Sequence, residues 1–123
     1  MIPKNIIDRD KHACSMSKDG GWYVSNLIEF SKNKDNIIDF ELDTYSIALN
    51  ETIWGKLTMY DIINHFRRTN ESDLQYPIIM SEEGWILDGW HRIVKAILND
   101  TRYIKAVRFK KNPDFDTFTV EMR

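Results

Sequence analysis

Tyr76-Pro77-Ile78-Ile79-Met80-Ser81-Glu82-Glu83-Gly84-Trp85-Ile86-Leu87-Asp88-Gly89-Trp90-His91-Arg92-Ile93-Val94-Lys95-Ala96 is the stretch that decides the fold. Residues 77–80 and 85–87 are short apolar runs separated by four turn residues, which predicts two strands joined by a tight connection. From His91 the period changes. Ile93, Ala96 and Ile97 recur at helical spacing, so a helix is expected over 91–98, stopped by Asn99-Asp100. The second strand therefore feeds a helix through Gly89. A glycine there lets backbone approach a ligand, and the first N–H groups of the helix, at Trp90, His91 and Arg92, suit an anion. Arg92 adds a fork of donors matched to phosphate oxygens, and His91 a donor able to carry charge near neutral pH.

Working outward, a strand is expected over 104–109, closed by Lys110-Lys111-Asn112-Pro113, with an edge strand at Phe118-Thr119-Val120. On the other side, Thr58-Met59-Tyr60-Asp61 fits a capping box opening a helix to about Arg68, with Met59, Ile62, Ile63 and Phe66 along one side. Ile38, Phe40 and Leu42 alternate with Asp39 and Glu41 and predict a half-buried strand. A helix is expected over 22–32. Residues 1–21 are polar and end in Lys18-Asp19-Gly20-Gly21, which reads as a flexible N-terminal arm before a single domain at 22–123. The expected fold class is α+β, a small mixed β-sheet with packed helices.

The 123 residues are 42% hydrophobic and 29% charged, with a formal net charge of −2. That balance argues against a bulk nucleic-acid binder, whose affinity needs a surplus of Lys and Arg. A single cysteine, Cys14, excludes an internal disulfide and a paired-cysteine zinc site, and His12 with Cys14 gives too few ligands for a metal. No apolar run reaches membrane-span length and no signal-peptide core opens the chain, so a cytoplasmic protein with no membrane partner is expected. The N-x-S/T triplets at Asn50, Asn70 and Asn99 then read as chance.

The pattern P-I-I … G-x-I-L-D-G-x-H-R-x-x-K-A resembles the ParB/sulfiredoxin superfamily. Its members include ParB N-terminal domains, sulfiredoxins, free serine kinases and small phage or plasmid proteins. The close match covers about a quarter of the chain, and Asp88-Gly89-Trp90-His91-Arg92 is most similar to the turn of the serine kinases. The resemblance implies a nucleotide (ATP, ADP or CTP) with Mg²⁺, its phosphates held at Gly89, Trp90, His91 and Arg92. It implies Glu51 as base, with Asp88 and His91 beside it in hydrolysis or transfer of a phosphoryl group, or in cleavage of a phosphodiester. Two departures narrow this. Sulfiredoxins place their catalytic cysteine where this chain has Trp90, and ParB proteins carry a helix-turn-helix region after the domain, which is not expected here.

Plainer readings stand beside these. Asp88 also suits a helix N-cap, Trp90 core packing, Glu51 a solvated loop acid, and Arg92 an exposed pair with Glu82 or Glu83 worth little. His65, Arg67 and Arg68, and the cluster Lys105, Arg108, Lys110 and Lys111, read as solvated faces or modest basic patches able to hold a nucleotide tail or nucleic-acid strand. The alternative function is a non-catalytic phage- or plasmid-type regulatory protein with a nucleic-acid or protein partner.

Overall fold

The computed structural model describes residues 14–17 and 20–116. Their elements are β1 (Cys14–Ser17), β2 (Gly20–Tyr23), α1 (Val24–Ser31), β3 (Ile37–Asp43), α2 (Met59–Glu71), β4 (Ile78–Met80), β5 (Ile86–Asp88), α3 (Trp90–Leu98) and β6 (Tyr103–Phe109), with 3-10 turns at Lys34–Asn36 and Thr44–Ser46. β1 and β2 pair antiparallel as a ribbon, and the other strands form a sheet in the order β3-β6-β4-β5. The fold is α+β, as the sequence predicts.

The chain clusters into two compact units. One takes the described residues up to Ile38, Ile79–Asp88 and those from Arg108 on; the other is Asp39–Ile78 with Gly89–Val107. In the first unit the predicted turn closes as expected. The Ser81 N–H donates to the Trp85 carbonyl at 2.8 Å, the Trp85 N–H donates to Ser81 Oγ at 3.0 Å, and Gly84 takes a φ of +92°. Arg108 donates to the Glu82 carbonyl through Nε at 3.0 Å and Nη2 at 2.5 Å, so this member of the expected basic cluster braces the turn. Residues 113–116 lie on the ribbon. Trp22 Nε1 donates to the Pro113 carbonyl at 3.0 Å, the Phe115 ring sits 4.8 Å from that of Trp22, and Asp116 accepts from the Tyr23 N–H and from Asn26.

Three expectations change here. Residues 14–17 and 20–21, read as part of a flexible arm, belong to the ribbon; 1–13 lie outside the described residues, as does the edge strand expected at 118–120. The helix expected over 22–32 starts at Val24, because Trp22 and Tyr23 are claimed by β2. In β3, Ile38 is 51% exposed whereas Ile37 and Leu42 are buried. Ile37 and Leu42 have opposite parity, so different faces of the strand are covered at its two ends, and simple alternation fails.

In the second unit the capping box of α2 is complete. The Asp61 N–H donates to Thr58 Oγ1 at 3.1 Å, and the Thr58 N–H donates to Asp61 Oδ2 at 3.0 Å. Thr44, 3% exposed, donates from N and Oγ1 to the Arg102 carbonyl at 2.7 and 2.8 Å, fixing the entry to β6. Arg102 grips Asp43 with Nε and Nη2 at 3.2 and 3.1 Å and lies over the Tyr45 and Tyr103 rings. That guanidinium holds the Asp43 carboxyl below the usual carboxylate range. On α3, Ile93 and Ala96 are wholly buried, as their spacing predicts. Burying an isoleucine side chain contributes about 1.5–3 kcal/mol.

α2 departs from its expected face. Met59, Ile63 and Phe66 are 69%, 53% and 65% exposed, while Ile62 and His65 are half-buried and Thr69 is buried. The side turned inward is the one carrying His65. From it, contacts advance along both helices, from His65–His91 to Lys95, whose ammonium donates to the Asn70 and Ser72 carbonyls at 2.9 and 2.6 Å. α2 and α3 therefore run in the same sense, and Lys95 places its charge where the last carbonyls of α2 need donors.

Candidate functional site

Gly89 is the N-cap of α3, with φ +116° and ψ 16°. This left-handed backbone costs a glycine nothing and other residues about 1–3 kcal/mol. It also means that Asp88 is not the cap. Asp88 ends β5, half-buried and in register with Ile79, and the N-cap position itself has no side chain to offer. The space a side chain would take at Gly89 is filled. A Cβ there would meet Ile78 Cδ1 at 2.5 Å, Arg92 Nη2 at 3.0 Å and Arg92 Nε at 3.2 Å. The opening expected for a ligand is thus occupied by a core methyl and by Arg92. What the glycine permits is a guanidinium folded back over the start of its own helix.

His91 lies in the first turn of α3, and its environment reaches well beyond the motif. Its Nε2 is 2.8 Å from Nδ1 of His65 on α2. A bond between two ring nitrogens needs one to donate and the other to accept, so the two rings cannot both be charged while it persists. Trp54 lies flat across both, with ring centroids 3.9 Å from His65 and 4.8 Å from His91 and interplanar angles of 11° and 17°. Burial, then the neighbouring His65, Arg68 and Arg92, push His91 down to about 4, and burial lowers His65 as well, against the opposing pull of Asp61. His91 is therefore neutral at physiological pH, which corrects its expected role as a switchable cation. The fixed charge comes from Arg68 and Arg92.

The other expected residues are placed as follows. Trp90 is half-buried at the first position of α3, and the indole that stacks on the histidines is Trp54 instead. Glu51 is exposed on the loop before α2 and, among the described residues, makes no hydrogen bond or ion pair. Trp54, three residues later, brings that loop to the histidines. Lys105 donates to Gln75 at 3.0 Å, apart from any ligand role. Among the described residues no three His, Cys, Asp or Glu side chains converge as metal ligands, and no helix is long and apolar enough to cross a membrane.

The second unit thus brings together Trp54, His65, Arg68, Gly89, His91 and Arg92: two guanidinium groups, a pair of bonded imidazoles covered by an indole, and the glycine that starts α3, with Asp61 acting on His65 from the side of α2. His65 and Trp54 carried no local signal, since only the packing of α2 against α3 brings them to the turn. No family model, no curated protein and no solved structure matches the chain, and the chemistry of this corner rests on the geometry of its own residues.

Proposed function

We propose that the chain is a nucleotide-binding domain that holds a phosphate group at the start of α3. The observation that carries this reading is the fold-back of Arg92 over Gly89, which aims a guanidinium at a helix N-terminus whose N-cap supplies no side-chain acceptor. Backbone N–H groups, the helix dipole and a forked cation then act on one anion. The neutral His65–His91 pair keeps one ring N–H to donate, and the face of Trp54 turned away from the histidines offers a flat surface for a base. The likeness of Asp88-Gly89-Trp90-His91-Arg92 to the ParB/sulfiredoxin turn supports the same assignment. Mg²⁺ fits as a companion of the phosphates rather than as a resident of a protein cage, as is usual for this ion. Binding of ATP, ADP, CTP and pyrophosphate with Mg²⁺, compared by calorimetry, tests the reading. Saturable binding shared by the nucleotides and pyrophosphate is expected, and no binding by any of them refutes it.

A second reading adds hydrolysis or transfer of the bound phosphoryl group, and the position of Trp54 favours it by drawing the Glu51 loop toward the histidines. Phosphoryl transfer asks mainly for positioning and charge, which few groups can supply. Turnover measured as released phosphate, lost by ~10²-fold in Glu51→Gln with affinity kept, is the expected result. Binding without turnover leaves the regulatory binding protein as the function.

A further inference from the structure

We propose that two copies of this chain associate through the exposed apolar face of α2, packed antiparallel about a two-fold axis near Ile63. Met59, Ile63 and Phe66 recur at i, i+4 and i+7 and so share one side of the helix, flanked by Tyr60. Their exposures are 69%, 53%, 65% and 45%, although the opposite side of the same helix is packed. A solvated helix face carries charges; this one carries four large apolar side chains. The surface amounts to roughly 400–500 Å² per copy, in the range of the largest apolar patch on an ordinary protein surface, a patch that often has a function. Two copies would together bury about 1,000 Å², the lower bound of a specific interface.

The charges around the patch identify the occupant. Exposed Lys56 lies just before the N-cap Thr58, and exposed Glu71 is the last residue of α2. Within one copy Glu71 stands at the negative end of its own helix, where a carboxylate is disfavoured. In an antiparallel pair each Glu71 meets the positive start of the second helix and its Lys56, and the contact is made twice. The same reversal sets exposed Arg67 against Tyr60 of the second copy, an arrangement suited to a cation–π contact. A parallel pair would oppose Glu71 to Glu71 and Lys56 to Lys56. Opposite charges at the two ends with an apolar centre make the face complementary to itself under a two-fold axis.

Sedimentation analysis of the full chain across the micromolar range tests this, together with cross-linking in a Cys14→Ser background. A reversible dimer is expected. Ile63→Cys should cross-link to itself on oxidation, and Met59→Cys should cross-link to Phe66→Cys in a mixture more readily than to itself. Phe66→Asp should loosen the dimer by at least about tenfold, the effect of removing a buried aromatic anchor. Glu71→Lys should loosen it several-fold, and Lys56→Glu in the same chain should restore it. These positions are exposed, and circular dichroism checks that each variant is folded. A chain monomeric at every concentration, an unchanged dimer in Phe66→Asp, or preferred self-linking of Met59→Cys would overturn the proposal.

Discussion

Replacing Gly89 by alanine probes both structural reasons for the glycine, and the two can be separated. The first is backbone strain, since a φ of +116° costs an alanine about 1–3 kcal/mol. The second is collision: the new Cβ would lie 2.5 Å from Cδ1 of Ile78, which is fully buried and has nowhere to retreat. Overpacking of this kind costs about 1–3 kcal/mol. The approach to Arg92 at 3.0 Å costs less, because the far end of a flexible side chain can shift. Gly89→Ala should therefore lose about 2–6 kcal/mol, a large part of the stability usual for a domain, and its melting temperature should fall by roughly 10–25 °C. Ile78→Val deletes the colliding Cδ1. Alone it should cost about 0.5–1.5 kcal/mol. In the Gly89→Ala background it should cost nothing or stabilise, giving a coupling of about 1 kcal/mol or more. Urea unfolding followed by tryptophan fluorescence reads all four proteins. Strictly additive losses would show that the collision is absent and that only the backbone requires glycine.

Three further outcomes follow from the second unit. Burial and the charges near His91 hold it at about 4, whereas an exposed imidazole titrates near 6.5, so the unfolded chain binds a proton in that interval that the folded chain does not. Stability should thus fall as pH drops from about 6.5 toward 4, by roughly 1–2 kcal/mol once the partial exposure of the ring is allowed for; urea unfolding of wild type and His91→Gln at neutral and acidic pH should show the slope flattened in the variant. Thr58→Ala removes half of the capping box and should cost about 0.5–2 kcal/mol in thermal unfolding, with the loss confined to α2 in hydrogen exchange. Lys95→Met leaves the Asn70 and Ser72 carbonyls without their ammonium donor and should cost ~1–2 kcal/mol, with faster exchange at the end of α2.

The parts of the fold that were legible in the sequence are those written in neighbouring residues. The β4–β5 turn, the Thr58–Asp61 box and the core spacing of Ile93 and Ala96 each depend on contacts within a few positions. The face of α2 was not legible, because Met59, Ile63 and Phe66 are as apolar as any core stripe and only tertiary packing turns His65 and Thr69 inward instead. β3 fails for a related reason, since alternation locates a strand but cannot say that its two ends are covered on different faces. At the site, Gly89 and Arg92 were found from the local pattern, whereas the neutral state of His91 depends on His65, 26 positions away, on Arg68, and on burial. In the ribbon, β1 is mostly small and polar and gives a weak strand signal, the aromatic pair Trp22-Tyr23 of β2 reads equally as the start of the following helix, and Phe115 and the 113–116 segment lie against β2.

The central claim is that a phosphate binds at the start of α3, and an amide chemical-shift titration of the full chain with ATP and Mg²⁺ tests it most directly. The largest saturable shifts should fall on the backbone amides of Trp90, His91 and Arg92 and on the indole N–H of Trp54. In folded Arg92→Ala the affinity should drop by about 10- to 100-fold, the effect of losing one charge-assisted hydrogen bond of roughly 1.5–3 kcal/mol. Shifts confined to other segments, or an affinity unchanged in folded Arg92→Ala, would contradict the assignment.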